Sequence, residues 1–397
     1  VIAMAQGAGV PVNVSLSCVF GCPMEGDVAQ AEVFAWVQRF ADLGVQGMDE
    51  TQIANRLADL GALITGSVDM DRASVGLRTL SAADKRTPAL DILRTVLISP
   101  QFPPAVIERE KARSIVAIKE SLTRPATIAG NAFWSAMYPA HPYGRQPTVE
   151  SIASLERADL EGFYRANYSA RRAVVTIVGD VSRKQAEAIA QQLTASLPSG
   201  SPMAAPETAS LPVASEQRIA HSAAQAHLMI GVPALKRGDP DFFPLIVGNY
   251  SLGGGGFVSR LMKEVRDKRG LAYGVQSYFM PMVQPGPFQI GLQTKKAQAN
   301  EALQVVREVL AGFLADGPNE EELQAAKQNL VGSFPLRLDS NQKILDNVAA
   351  IGFFGLPLDY LDHYAENVEK VTAAQIKTAF ARHVRPENMV SVIVGGE

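Results

Sequence analysis

The chain is short of cysteine, histidine, charge imbalance and long apolar runs, and each shortage removes a class of function. Cys18 and Cys22, the only cysteines in 397 residues, are too few to build a zinc site or a disulfide scaffold of their own. Cys18 lies on the apolar side of Val12, Val14, Leu16, Cys18 and Phe20, which alternate with period two, so it reads as a buried structural thiol on a strand, with a disulfide the lesser option. The five histidines are His141, His221, His227, His363 and His383, and none forms a four-residue histidine pair with an intervening glutamate, so no zinc-protease helix motif stands in the chain. His221 and His227 could share a strand face, where two histidines without a carboxylate read as structural. Balanced charge, 37 basic against 40 acidic residues for a net of -3, leaves no basic stripe to neutralise phosphates and argues against nucleic acid as a partner. No apolar run approaches the ~20 residues of a membrane span. The opening Val1 to Val10 lacks the charged and apolar regions of a signal peptide. What is present is core-forming material: 47% hydrophobic and 19% charged residues, enough for at least two ordinary cores.

An internal repeat organises the chain. Val75 to Thr79 (VGLRT) answers to Ile290 to Thr294 (IGLQT) at an offset of 215, Ala89 to Leu93 to Ala302 to Val306 at 213, and Ala173 to Asp180 to Met389 to Gly396 at 216. The helical patterns Asp159 to Tyr164 and Gln375 to Phe380 precede the last pair. Offsets this constant, in one order, mark a duplication. A Ser, Pro and Ala-rich stretch reads as an exposed linker between the copies. The division is 1–198, linker 199–216, and 217–397.

Within the first copy the pattern predicts a strand at Val12 to Phe20, helices at Asp27 to Gly44 and Asp49 to Gly61, and strands around Ala62 to Val68 and Ala73 to Leu80. Helices from Pro88, Pro104 and Arg124 and a closing strand at Ala173 to Gly179 follow. Asp27 and Asp49 are candidate N-caps, and Ile53, Leu57 and Leu60 form one apolar stripe. Helices in runs between antiparallel hairpins predict an α+β fold: two homologous sandwich domains, each a mixed, largely antiparallel sheet with helices packed on one face.

In the second copy, Leu252-Gly253-Gly254-Gly255-Gly256-Phe257-Val258-Ser259-Arg260-Leu261 runs into Val265-Arg266-Asp267-Lys268-Arg269-Gly270-Leu271-Ala272-Tyr273. The glycines lack the lysine and hydroxyl residue of a phosphate loop; they suit close backbone approach, or a flexible loop over a substrate. This stretch resembles the C-terminal domain of the M16 (pitrilysin and insulysin) metallopeptidase superfamily, in which a helix ends in an arginine and a tyrosine opens the next strand. The matching positions are Arg266 and Tyr273. The resemblance implies that they bind the peptide backbone and polarise the scissile carbonyl, since a guanidinium and a phenolic O–H can both donate to a developing oxyanion.

Peptide-cleaving members carry His-x-x-Glu-His on the first long helix of the N-terminal half, with a glutamate further on as third metal ligand. Aligned through Gly44, this chain has Ala35, Gln38 and Arg39 at the motif positions, and the third ligand's place falls near Val116 or Ala117. Neither alanine nor arginine can replace a histidine ligand, and Gln38 cannot take a proton from water. Glu110 and Glu120 nearby read as a solvated helix face. His141-Pro142-Tyr143-Gly144 resembles the family's turn after the third-ligand helix and is expected to be structural.

The resemblance therefore implies a non-catalytic, substrate-binding subunit of a heterodimeric zinc endopeptidase. It would be inactive alone and pair with a homologous chain bearing the intact motif, with zinc in that partner, none in this chain, and a peptide or unfolded polypeptide as substrate. The alternatives are a structural core-type subunit and a peptide-binding homodimer. A bacterial periplasm is the preferred compartment by the same resemblance.

Overall fold

Period-two burial is what turns the strands of this chain into sheets. The computed structural model describes residues 13–21, 45, 47–202 and 207–395, with backbone only for 13–21. Along β3 (Arg72–Leu80) Ala73, Val75, Leu77 and Thr79 are buried and their neighbours are not, the signature of a strand with one face on a core. β3 pairs antiparallel with β1 (Asn13–Gly21) and with β2 (Leu63–Val68), and β1 pairs antiparallel with β4 (Ala173–Val178). The order is β2-β3-β1-β4.

The second sheet repeats this order. β6 (Gln225–Leu235) pairs antiparallel with β8 (Gly286–Lys295) and β9 (Val390–Val394), and β8 with β7 (Ala272–Phe279). Replacing β1, β2, β3 and β4 by β6, β7, β8 and β9 reproduces the first sheet, so the repeated segments occupy equivalent strands. One strand is new. β5 (Ser215–Ile219) adds parallel to β9, which makes the order β5-β9-β6-β8-β7 and the sheet mixed.

Capping sets the helix starts. Asp49 accepts from the Gln52 N–H and closes a capping box on α1 (Glu50–Asp59), whose Ile53 and Leu57 are buried, as the sequence predicts. α2 (Ala83–Ile98) begins a turn before Pro88, which sits inside the helix, and α3 (Pro104–Ser121) begins at its proline. The predicted helix at Asp27 to Gly44, with the Asp27 cap and Cys22, lies outside the described residues.

Two compact units result, and neither is a continuous half of the chain. The first holds residues 1–116, 147–205 and 336–358; the second holds 117–146, 206–335 and 359–397. The exchanged pieces contain α4 (Pro125–Met137) and a helix at Asn341–Phe354, whose starts differ by 216, the repeat offset. In the first unit the Asn341–Phe354 helix packs on β1 and β4. In the second, α4 packs on β6 and β9. There a Cβ at Gly231 would lie 2.7 Å from the fully buried Phe133 ring. Helices following β3 cover the sheet face that bears Val75 and Leu77, the one-face packing expected; the exchanged helix partly covers the opposite face.

The second unit's core joins Leu228, Ile230 and Val232 of β6 to α9 (Ala299–Asp316) and to a later helix, Ala373–His383, through Val306, Phe313 and Phe380. No helix among the described residues is long and apolar enough to cross a membrane.

Candidate functional site

Arg266 and Tyr273 are brought together by two departures from regular structure. Residues Met262–Asp267 form a π-helical turn, and the N–H groups of Gly270 and Leu271 bond back to the Arg266 and Val265 carbonyls at 2.9 Å each. Gly270 has φ +60, a left-handed conformation that turns the chain into β7 and that a side chain would oppose. β7 then carries a bulge: Ala272 faces Thr294 and Val275 faces Leu292, so Tyr273 and Gly274 together oppose Gln293. The extra residue keeps both Ala272 and Val275 in the core while Tyr273 projects outward, 91% exposed, the re-aiming that bulges perform at functional sites.

The Arg266 guanidinium lies over the Phe257 ring at 4.7 Å and the Tyr273 ring at 5.5 Å. Its nearest carboxylate is Asp267 at 3.7 Å, beyond hydrogen-bond reach. Competing charge nearby is neutralised internally: Glu264 accepts from Lys268 Nζ and Arg269 Nη1, each at 2.6 Å. Those two bonds hold the Glu264 carboxyl below its ordinary value. The Tyr273 hydroxyl makes no hydrogen bond with the described residues. Two donors thus stand beside each other, the half-buried guanidinium against the rings of Phe257 and Tyr273 and the Tyr273 hydroxyl exposed.

The glycine run supports this corner. Gly253 and Gly254 end a π-helical turn that starts at Tyr250 and is closed by the Gly255 N–H on the Tyr250 carbonyl at 2.8 Å. A Cβ at Gly253 would come within 2.4 Å of Ser277 Oγ and 2.7 Å of Ser277 N on β7, so the close-approach reading of that glycine has a direct steric cause. Gly256 opens a 3-10 turn that presents Phe257. Beneath, Asn249 Nδ2 donates to the Ser277 carbonyl at 3.0 Å and Ser277 Oγ donates to Asn249 Oδ1 at 2.6 Å.

Two contributors to the site escaped the sequence reading, and one residue elsewhere was misread. Phe257 completes the ring contacts on Arg266; an aromatic directly after a glycine run was its only signal. Arg260 binds both Glu322 oxygens at 2.7 Å and the Gly317 carbonyl at 2.7 Å, fastening the site's helical turns to α10 (Glu320–Gly332). Glu110, read as solvated, is buried at 3% exposure and bonded by Arg109 and Arg113 at 2.8 and 3.0 Å; two guanidiniums make its burial tolerable. Glu120 is exposed and paired with Arg124.

The chain's residues do not suit a zinc ion at the family's position. Ala35, Gln38 and Arg39 lie outside the described residues, and their side chains include no carboxylate, thiolate or imidazole. The third-ligand place is described: Val116 on α3 is a hydrocarbon side chain, 64% exposed, and the nearby carboxylate of Glu110 is already taken by arginines. Asp239, Asp241 and His383 stand together elsewhere in the second unit. There Arg382 Nη1 binds Asp241 Oδ2 at 2.6 Å, and the two nitrogens of His383 face Asp241 and the Ala234 carbonyl. A guanidinium already supplies the positive charge, so the group reads as an ion-pair cluster. His141 is likewise structural. Its Nδ1 accepts from the Tyr143 N–H at 3.2 Å and its Nε2 faces the Glu207 carbonyl at 3.1 Å; burial lowers its pKa.

Residues 154–330 match the family described as Peptidase M16 inactive domain. The chain is similar to a solved structure titled peptidase M16 inactive domain from Pseudomonas fluorescens, with 36% identity and a TM-score of 0.93, covering 98% of this chain and 94% of that one. It is 26% identical over 313 residues to an uncharacterized zinc protease of Mycobacterium leprae, covering 77% of this chain and 70% of the relative. It is also 26% identical over 315 residues to the non-peptidase homolog YmxG of Helicobacter pylori, covering 78% and 72%. The chain belongs to the M16 peptidase family. The match to the inactive domain and the likeness to a non-peptidase homolog support a non-catalytic member with the family's α/β fold.

Proposed function

We propose that this chain is the substrate-binding subunit of a two-chain zinc endopeptidase, in which Arg266 and Tyr273 hold and polarise the scissile carbonyl. A homologous partner bearing the intact His-x-x-Glu-His motif would hold the zinc and activate the attacking water. The observation that carries the reading is the pairing itself: a turn, a bulge and two ring contacts present two unsatisfied donors beside each other, in a chain whose own metal positions are empty of ligands. Donors fixed before the reaction stabilise an oxyanion more than the ground-state carbonyl, so they act on turnover. A purely structural subunit of this fold would have no use for an exposed tyrosine re-aimed by a bulge.

The test is hydrolysis of a quenched peptide by the chain mixed with its motif-bearing partner. Tyr273→Phe removes one donor and leaves the ring, and kcat is expected to fall by ~10 to 1000-fold with little change in KM. Full turnover in the Tyr273→Phe complex, or chelator-sensitive hydrolysis by this chain alone, overturns the proposal. If the mixture never cleaves peptide although the chains associate, the structural-subunit reading replaces it.

A further inference from the structure

The first unit holds an unassigned cavity of about 220 Å³ between the outer half of its sheet and the exchanged helix, here α11 (Asn341–Phe354). Because β1 and β4 lie under α11, the side chains of β2 and β3 that share that face are left open along the hairpin. The cavity is below the roughly 300 Å³ that a drug-sized ligand needs. It therefore suits the end group or a few side chains of something longer.

Its lining is rich in donors. Thr65, Ser67 and Ser74 place hydroxyls along it, none bonded to a described residue. Arg72 and Arg78 stand at opposite ends of β3, roughly 20 Å apart along an extended strand. The Arg78 side chain makes no ion pair or hydrogen bond with the described residues. Arg72 is held in place by Nε donating to Asp69 Oδ2 at 2.9 Å and by the Phe353 and Phe354 rings at 5.4 and 5.8 Å. Its Nη1 is buried and has no hydrogen-bond partner among the described residues, an arrangement that costs free energy unless an acceptor is supplied. The one carboxylate in the lining, Asp346, already accepts from Gln342 Nε2 at 2.9 Å. Two guanidiniums against one occupied carboxylate favour an anionic, acceptor-only ligand, and carboxylate is the group that matches a guanidinium fork.

We propose that this cavity binds carboxylates of an acidic peptide segment, with Arg72 as the fixed anchor and Arg78 as the second contact. The inference gives a substrate class to the peptide-binding reading above, and it rests on that reading for its purpose alone. It concerns a different unit of the chain and an equilibrium, so the two fail separately.

The experiment is fluorescence anisotropy of labelled octapeptides with the purified full chain and no partner. A glutamate-containing peptide is expected to bind at least about tenfold more tightly than its glutamine counterpart, and to weaken as salt rises. Arg78→Gln and Arg72→Gln are each expected to weaken it about tenfold. Arg78 is exposed, so its variant carries the test if the Arg72 variant fails to fold by circular dichroism. C-terminally amidated peptides separate the sources: retained binding assigns side-chain carboxylates, whereas lost binding assigns the chain terminus and overturns the segment reading. Equal affinity for the glutamine peptide, or unchanged affinity in Arg78→Gln, also overturns it. Turnover of the mixed complex is measured separately from this affinity, so a lost turnover and a lost affinity point to different proposals.

Discussion

At the scale of single residues, the site depends on atoms that are missing. Gly253 lets a π-helical turn lie against Ser277, and through that contact it sets where β7 begins and hence where Tyr273 stands. Gly253→Ala would drive a methyl group into Ser277 and into Leu261 Cδ1, 2.7 Å away. We expect a loss of about 1 to 3 kcal/mol by urea unfolding, the usual range for overpacking, together with reduced turnover in the mixed complex, because reacting groups tolerate little displacement. An alanine variant as stable as the wild type would show that the turn can shift freely. The family resemblance pointed to Arg266 and Tyr273, yet it could not show that Phe257 stacks on Arg266, because that contact joins a 3-10 turn to a π-helical turn through space.

Among elements, the join between the site's helical turns and α10 is an ion pair with a clear pH dependence. Burial opposes the charge on Glu322, but the two bonds from Arg260 and the one from the Asn319 N–H outweigh it and hold the carboxyl below its ordinary value of 4.5. A carboxyl lowered in the folded state binds fewer protons there than in the unfolded chain. Its contribution is therefore full above about pH 4.5 and is lost as pH falls through the lower folded value. Glu322→Gln should cost about 1 to 3 kcal/mol at neutral pH, and the gap between variant and wild type should close in acid. Urea midpoints measured from pH 7 down to pH 3 check this, and a gap that stays constant across that range contradicts it. The cap that starts α1 was readable at Asp49, because a cap is made of residues three apart. The start of α2 was not, since nothing local distinguishes a proline that begins a helix from one in its second turn.

For the whole molecule, the exchange of α4 and α11 ties the two compact units to one continuous chain. Phe133 belongs to the first sequence half and is fully buried in the second unit. Phe133→Ala should destabilise that unit by about 3 to 5 kcal/mol, as deletion of a buried aromatic ring does. Residues 217–397 expressed alone should fail to give a cooperative thermal transition, and supplying residues 117–146 on the same polypeptide should restore one. A sharp transition from 217–397 by itself would show that α4 is dispensable.

What the sequence determined unaided was everything with a local or periodic cause. Strand alternation, helix caps, the repeat offset and the lack of a His-x-x-Glu-His motif are all recorded in neighbouring positions, so the duplicated α/β fold could be read directly. Tertiary structure alone decided which helix covers which sheet, that Glu110 is buried between arginines, that β5 joins β9, and that Arg266 lies between two rings. Those outcomes turn on contacts between residues tens to hundreds of positions apart, where no periodicity carries the information and only the competition for buried area chooses the partner.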